Sequence, residues 1–308
     1  MFSWLVKIFG FSLFSIFVSL GGIYGYLSIQ TGLPAVKRPF FNQTDPRPLV
    51  IAHRGGAGIF PENTLYAFQE SWKLGVDILE MDIRETADGK LVVMHDKSIN
   101  RTTDGEGNIS EMTLETVKKL NAGFKFTTDS GQTFPFRGQK ITVPTLEEVF
   151  NALPNARFNL EIKHETPTIV SSLCNLIRQH KLSEKVIVAS FSGDNLEKFR
   201  QECTEVATSA STSEVTKFLA YYKTGLGENY TPKMSALQTP EKLGSLQVVS
   251  KEFLETARKL NLQVHVWTIN KSEDMQRLIE IKVDGIMTDY PNKLLDLLGK
   301  LPKDKNQL

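Results

Sequence analysis

Leu79-Glu80-Met81-Asp82-Ile83 decides the fold. In an extended chain successive side chains point to opposite faces. Leu79, Met81 and Ile83 therefore make one apolar face, and Glu80 and Asp82 share the other. Residues 158–163 repeat the pattern: Phe158, Leu160 and Ile162 on one side, Asn159, Glu161 and Lys163 on the other. Strands of this kind fit a closed sheet whose outside is covered by helices and whose inside is polar near one end.

Working outward, apolar strands alternate with amphipathic helices. Strands are expected at 49–53, 77–83, 157–163, 186–190, 205–209, 235–239, 264–268 and 284–288, with a short one at 91–95. Helical spacing appears near 63–73, 145–152, 167–181, 193–201, 251–260, 272–281 and 291–299. The alternation predicts the α/β class and a parallel sheet, and eight strands predict a (β/α)8 TIM barrel over residues 49–300, close to the ~250 residues such a barrel needs. Two stretches depart from it. Residues 97–143, rich in Thr, Gly, Asn and Asp, read as a small inserted subdomain; in 213–250, Phe218-Leu219-Ala220-Tyr221-Tyr222 is either a patch for a membrane or acyl chain or, as the favoured reading, a helix burying its face, and irregular chain follows.

The N-terminus has another character. After the flank 1–7, no charge occurs from Ile8 to Ile29, and as a helix that span reaches ~33 Å, enough for a ~30 Å hydrocarbon core. It is longer than a signal-peptide apolar region, and no small-residue cleavage site follows. A single-pass transmembrane anchor at 8–29 is the expectation, with a proline-rich linker at 30–48 carrying Pro34, Pro39, Pro46 and Pro48. Lys7 before the span against Lys37, Arg38 and Arg47 after it points, by a small margin, to a cytoplasmic catalytic domain. Overall the 36 basic and 35 acidic residues nearly cancel, which argues against nucleic acid as a partner. Cys174 and Cys203 form no CxxC, and no disulfide framework is expected from them.

The chemistry-bearing residues begin at His53-Arg54-Gly55-Gly56, at the end of the apolar run 49–52. An imidazole beside a guanidinium pairs proton transfer with phosphate binding. A second imidazole, His95, follows another strand. Buried carboxylates are costly unless paired or metal-bound. Glu80, Asp82 and Glu161, gathered with Lys163 and Arg54, invite one divalent cation, Mg2+ or Ca2+. By alternation with Val266, Trp267 faces inward, and Phe191 sits just past a strand; both are candidate substrate contacts. Glu62 either bonds within the site or opens the next helix, and Asp289 either orients the site or, as the favoured reading, caps the last helix. His164, His180 and His265 read as structural or exposed.

HRGG at 53–56, PENT at 61–64, LEMD at 79–82, VVMHD at 92–96, NRTTDG at 100–105, VPTLEEVF at 143–150, NLEIK at 159–163, VHVWTIN at 264–270 and DGIMTDYP at 284–291 together resemble the glycerophosphodiester phosphodiesterase family. The resemblance implies metal ligands at Glu80, Asp82 and Glu161, catalytic histidines at His53 and His95, and phosphate-contacting cations at Arg54 and Lys163. It implies metal-dependent hydrolysis of a glycerophosphodiester to an alcohol and glycerol 3-phosphate, through a cyclic phosphate. A lysophospholipid is the alternative substrate. A membrane-tethered binding module without activity is the alternative outside enzymology. HExxH, GxSxG and P-loop motifs are absent from the sequence.

Overall fold

The computed structural model describes residues 18–42, 48–163 and 168–302. Among these, the helices are α1 (residues 18–28), α2 (Leu65–Leu74), α3 (Leu114–Val117), α4 (Leu146–Ala152), α5 (Thr168–Gln179), α6 (Gly193–Glu202), α7 (Thr212–Lys223), α8 (Lys251–Lys259), α9 (Ser272–Glu280) and α10 (Pro291–Leu297). The strands are β1 (Leu49–Ala52), β2 (Ile78–Glu85), β3 (Leu91–Val93), β4 (Phe158–Ile162), β5 (Val186–Ala189), β6 (Ala207–Thr208), β7 (Ala236–Pro240), β8 (Lys242–Leu243), β9 (Leu246–Gln247), β10 (Gln263–Trp267) and β11 (Gly285–Thr288).

Eight strands run parallel in the order β6-β5-β4-β2-β1-β11-β10-β7, and a bridge between Ser209 and Ala236 brings the two edges together. This nearly closed barrel has two apolar layers, as the strand alternation requires. Leu79, Met81, Phe158, Leu160 and Ile162 pack outward against Phe68, Phe150, Leu173 and other helical side chains. Leu49, Ile51, Ile78, Ile187, Ala207, Ala236 and Met287 fill the inside at the lower end, where the strands begin. Helix starts are capped where the sequence provides a hydroxyl: Thr145 and Glu148 form a reciprocal capping box on α4, and Ser211 and Glu214 form another on α7.

The insertion builds a small core of its own from Ile99, Ile109, Val117, Ala122, Phe136, Ile141 and Val143, joined to Val92 and Met94 beside the barrel. β3 lies off the barrel path, antiparallel to β2. In the stretch 213–250, α7 buries Phe218 and Leu219 in the main core, and an antiparallel hairpin, β8–β9, follows where irregular chain was expected.

The expected transmembrane span 8–29 lies outside the described residues as far as residue 17. From 18 to 28 the chain is helical with exposed Val18, Leu20, Ile23, Tyr24 and Tyr26. No helix among the described residues is long and apolar enough to cross a membrane. Residues 30–42 of the expected linker are packed against the barrel, and 43–47 lie outside the described residues. Asn229 donates to Ser28 O and Gln30 O, Leu33 N donates to Thr231 Oγ1 at 3.2 Å, and Ala35 N to Leu260 O at 2.8 Å. Phe40 is buried in the barrel floor among Leu49, Ile78 and Ala236. The Arg157 guanidinium covers its ring at 4.4 Å and donates to its carbonyl, and Phe41 packs on His265. The Phe40-Phe41 pair, not the prolines, makes this segment a strap.

Cys174 on α5 and Cys203 after α6 form a disulfide, contrary to the sequence expectation. Their separation of 29 residues carries no local signature, because the pairing is made by two neighbouring helices.

Candidate active site

The upper end of the barrel gathers the polar face of β2 and β4. Asp82 and Glu161 are register partners, as are Glu80 and Asn159, so the carboxylates sit side by side. Ligand oxygens of Glu80, Asp82 and Glu161 lie within 4.8 Å of one another. Burial and the neighbouring Asp82 charge push the Glu80 carboxyl up to about 8. Burial also dominates at Glu161, whose carboxyl is raised despite Lys163, 2.6 Å from Oε1. That contact lacks hydrogen-bond geometry, and Glu161 Oε1 stays buried without a hydrogen-bond partner. Burial opposes ionisation of Asp82 as well, but Lys163 at 3.3 Å and Arg54 at 3.5 Å outweigh it and hold its pKa down. An all-oxygen donor set in which burial disfavours the charged form of Glu80 and Glu161 fits a hard divalent cation.

Arg54 is held from three sides. Its backbone N–H donates to Glu80 Oε2 at 2.7 Å, its Nη1 donates to Glu62 Oε1 at 3.0 Å, and its backbone adopts a left-handed conformation at φ 52°. The turn is completed by Gly55, at φ 79°, where an added Cβ would lie 2.8 Å from the Phe68 ring. Asn63 Nδ2 donates to Asp82 Oδ2 at 2.8 Å, tying the PENT segment to the carboxylates.

Each catalytic-candidate histidine has an aspartate on Nδ1. His53 Nδ1 lies 2.6 Å from Asp289 Oδ1, and Asn270 Nδ2 donates to Asp289 Oδ2 at 2.7 Å. His95 Nδ1 lies 2.7 Å from Asp96 Oδ1, and Arg84 donates to the His95 carbonyl at 2.9 and 2.6 Å. With Nδ1 engaged, Nε2 of each ring is the atom left for proton transfer. Burial lowers the His53 pKa, but the Asp289 bond and the Glu80 charge outweigh it and raise the value overall. At His95 burial wins over Asp82 and Asp96, and the pKa falls. Two imidazoles displaced in opposite directions suit one acid and one base.

His53, Arg54, His95, Glu161 and Lys163 line one cavity of about 320 Å³ together with Phe191 and Trp267. The Lys163 ammonium lies 5.3 Å from the Phe191 ring centroid, and Phe191 meets Trp267 edge-on at 5.8 Å. Of the site residues expected from the sequence, these seven line the cavity, while Glu80 and Asp82 lie buried beside Glu161. Three others were misjudged or missed. Asp289 does not cap α10, which starts without a side-chain cap, and instead holds His53. Arg101, from the insertion, donates to Asp96 at 2.6 Å and to both Glu62 oxygens at 2.7 Å, joining the His95 and Arg54 supports. Asn270 carries Asp289 from the end of VHVWTIN. His265 is fully buried inside the barrel and His180 half-buried against Phe150, while His164 lies outside the described residues. Cys174, Cys203 and Glu205 also meet metal-ligand spacing, but both sulfurs are spent in the disulfide.

Asp289→Asn tests the support of His53. Loss of the carboxylate lowers the His53 pKa, so a rate limb that needs protonated His53 moves to lower pH. Turnover falls by roughly 10²-fold or more, as when a buttressing aspartate is neutralised elsewhere. A pH–rate profile checks it; an unshifted limb would assign Asp289 to packing alone.

A parallel barrel whose mouth joins paired imidazoles, fixed cations and a carboxylate cluster defines a metal-assisted phosphodiester hydrolase. Residues 53–293 match the glycerophosphoryl diester phosphodiesterase family. A glycerophosphodiester phosphodiesterase of Caldanaerobacter subterraneus subsp. tengcongensis is 36% identical over 82% of this chain and 99% of its own. The lysophospholipase D GDPD1 of Homo sapiens is 27% identical over 80% of this chain and 85% of its own. An Oleispira antarctica phosphodiesterase, solved in complex with the product sn-glycerol-3-phosphate, superposes with a TM-score of 0.67 at 25% identity, covering 82% of this chain and 97% of that one. The chain belongs to the glycerophosphoryl diester phosphodiesterase family.

Proposed function

We propose that the chain hydrolyses glycerophosphodiesters to an alcohol and glycerol 3-phosphate, using His53 and His95 as proton-transfer groups. The observation that carries the reading is the two aspartate-held imidazoles lining one cavity with Arg54 and Lys163. Arg54 and Lys163 hold the phosphate by charge. His95, whose basicity burial lowers, takes the proton of the glycerol 2-hydroxyl, whose oxygen attacks phosphorus. His53, whose pKa the Asp289 bond and the Glu80 charge raise, gives its proton to the departing alcohol oxygen. Water then opens the cyclic phosphate with the two roles reversed. A divalent cation, Mg2+ or Ca2+, held by Glu80, Asp82 and Glu161 would supply charge stabilisation to the phosphate oxygens. Metal-dependent release of glycerol 3-phosphate from glycerophosphocholine tests the reading. A diester without the neighbouring hydroxyl should be a poor substrate; comparable rates on it would exclude the cyclic route.

A single-pass anchor at 8–29 remains the reading of the uncharged span. The buried disulfide supports a catalytic domain on the oxidising side of the membrane, against the cytoplasmic side that the flanking charges favour. With a separation of 29 residues, Cys174→Ser is expected to cost about 3–4 kcal/mol of unfolding free energy. Denaturant curves with and without reductant check it. Free thiols on the protein isolated under alkylation would return the domain to the cytoplasm.

A further inference from the structure

Outside the N-terminal segment, the large apolar side chains exposed among the described residues are Phe191 at 56%, Leu243 at 49% and Leu246 at 43%. Two of them, Phe191 and Leu243, line the catalytic cavity, and Leu246 is the cross-strand partner of Leu243. The hairpin that carries the two leucines is firmly rooted. Val248 N donates to Glu241 O at 3.0 Å, Gln247 Nε2 donates to Glu241 Oε1 at 3.1 Å, and Arg277 pairs with both Glu241 oxygens. Its turn is made by Gly244, at φ 59°. A braced hairpin thus holds two leucines in water beside a cavity whose lining joins the charged Arg54, Glu161 and Lys163 to the apolar Val215, Pro240, Leu243 and Trp267. Isolated exposed leucines need no explanation, but a patch continuous with a binding cavity does.

We infer that the β8–β9 hairpin is a hydrocarbon-binding lip, and that with Phe191 it selects phosphodiesters carrying a single alkyl or acyl chain over the chainless diester. This deepens the hydrolase reading and rests on it. The occupant is the substrate's own chain. The strap ties the end of α1 to Asn229 and plugs the barrel floor, the end of the barrel away from the catalytic mouth. The cations that hold the phosphate and the apolar wall share one cavity, which matches an amphiphile with its charge next to its chain.

The test uses the full-length protein in lipid nanodiscs, with lysophosphatidylcholines of six to ten carbons kept below micellar concentration. In the wild type, kcat/KM should rise about two- to fourfold for each methylene that reaches the lip. In the Leu243→Ser/Leu246→Ser double variant that rise should flatten by a larger factor than any fall in glycerophosphocholine turnover. Calorimetric binding of hexyl- to decylphosphocholine gives the same comparison without turnover. No gain with chain length in wild-type binding, an equal gain in the double variant, or an equal loss on glycerophosphocholine each overturns the lip. Chain-dependent binding that the variant loses, without hydrolysis of any diester, upholds the lip and overturns the hydrolase reading instead.

Discussion

His53→Ala lowers turnover of glycerophosphocholine at neutral pH by about 10²- to 10⁴-fold, the range a positioned proton-transfer group contributes. The fold should tolerate the change. His53 sits at the rim with its ring bonded to Asp289, and Asp289 keeps its bonds from Asn270 once the ring is gone. His95→Ala should fall in the same range, and the double variant should lose far less than the product of the two, because the pair works as one unit. Steady-state kinetics on metal-saturated protein decides it. A variant with more than a tenth of wild-type turnover would remove His53 from the proton transfer, and a rise in KM at constant kcat would move it to binding.

Glu80→Gln should separate stability from function. With its carboxyl pushed from 4.5 up to about 8 by burial and Asp82, metal-free Glu80 is held in its protonated form. A folded pKa above the unfolded one adds stability that is full below the unfolded value, and that stability drains away as pH rises from about 4.5 to about 8. Glutamine has no proton to lose and keeps the acceptor oxygen for the Arg54 N–H. Under chelation, the variant's melting temperature should match the wild type near pH 4 and exceed it increasingly toward pH 8. A divalent cation at 100 times its Kd should reverse the order, stabilising the wild type by about 2.7 kcal/mol and the variant little. Activity should vanish in the variant at every metal concentration tried. If Glu80→Gln melts lower than the wild type across the whole pH range without metal, Glu80 serves an internal ion-pair network instead.

What the sequence made legible was local. Alternation along 79–83 and 158–163 put the carboxylates on one face, because a strand has a period of two and needs no knowledge of its neighbours. His53, Arg54 and His95 were found by their place at strand ends. The supports were harder to see. Asp289 lies 236 residues from His53, and its position before Tyr290-Pro291 carries a helix-start signal that happens not to be used. Arg101 sits on the insertion, whose docking no periodicity reports. The lip hairpin is two residues per strand, too short for alternation to register. Pairings of this kind exist only once the barrel has closed.

The strap changes where the catalytic domain can be said to begin. A chain shortened to start at Leu49, the first barrel strand, would lose Phe40 and open the floor, wetting Ile51, Ile78 and Ala236 and stripping Arg157 of its aromatic cover. A chain started at residue 30 keeps the plug in place. The barrel's bottom seal is thus encoded upstream of the barrel, in the few residues that also join it to α1, and trimming the enzyme to the family-matched region would remove part of its own core.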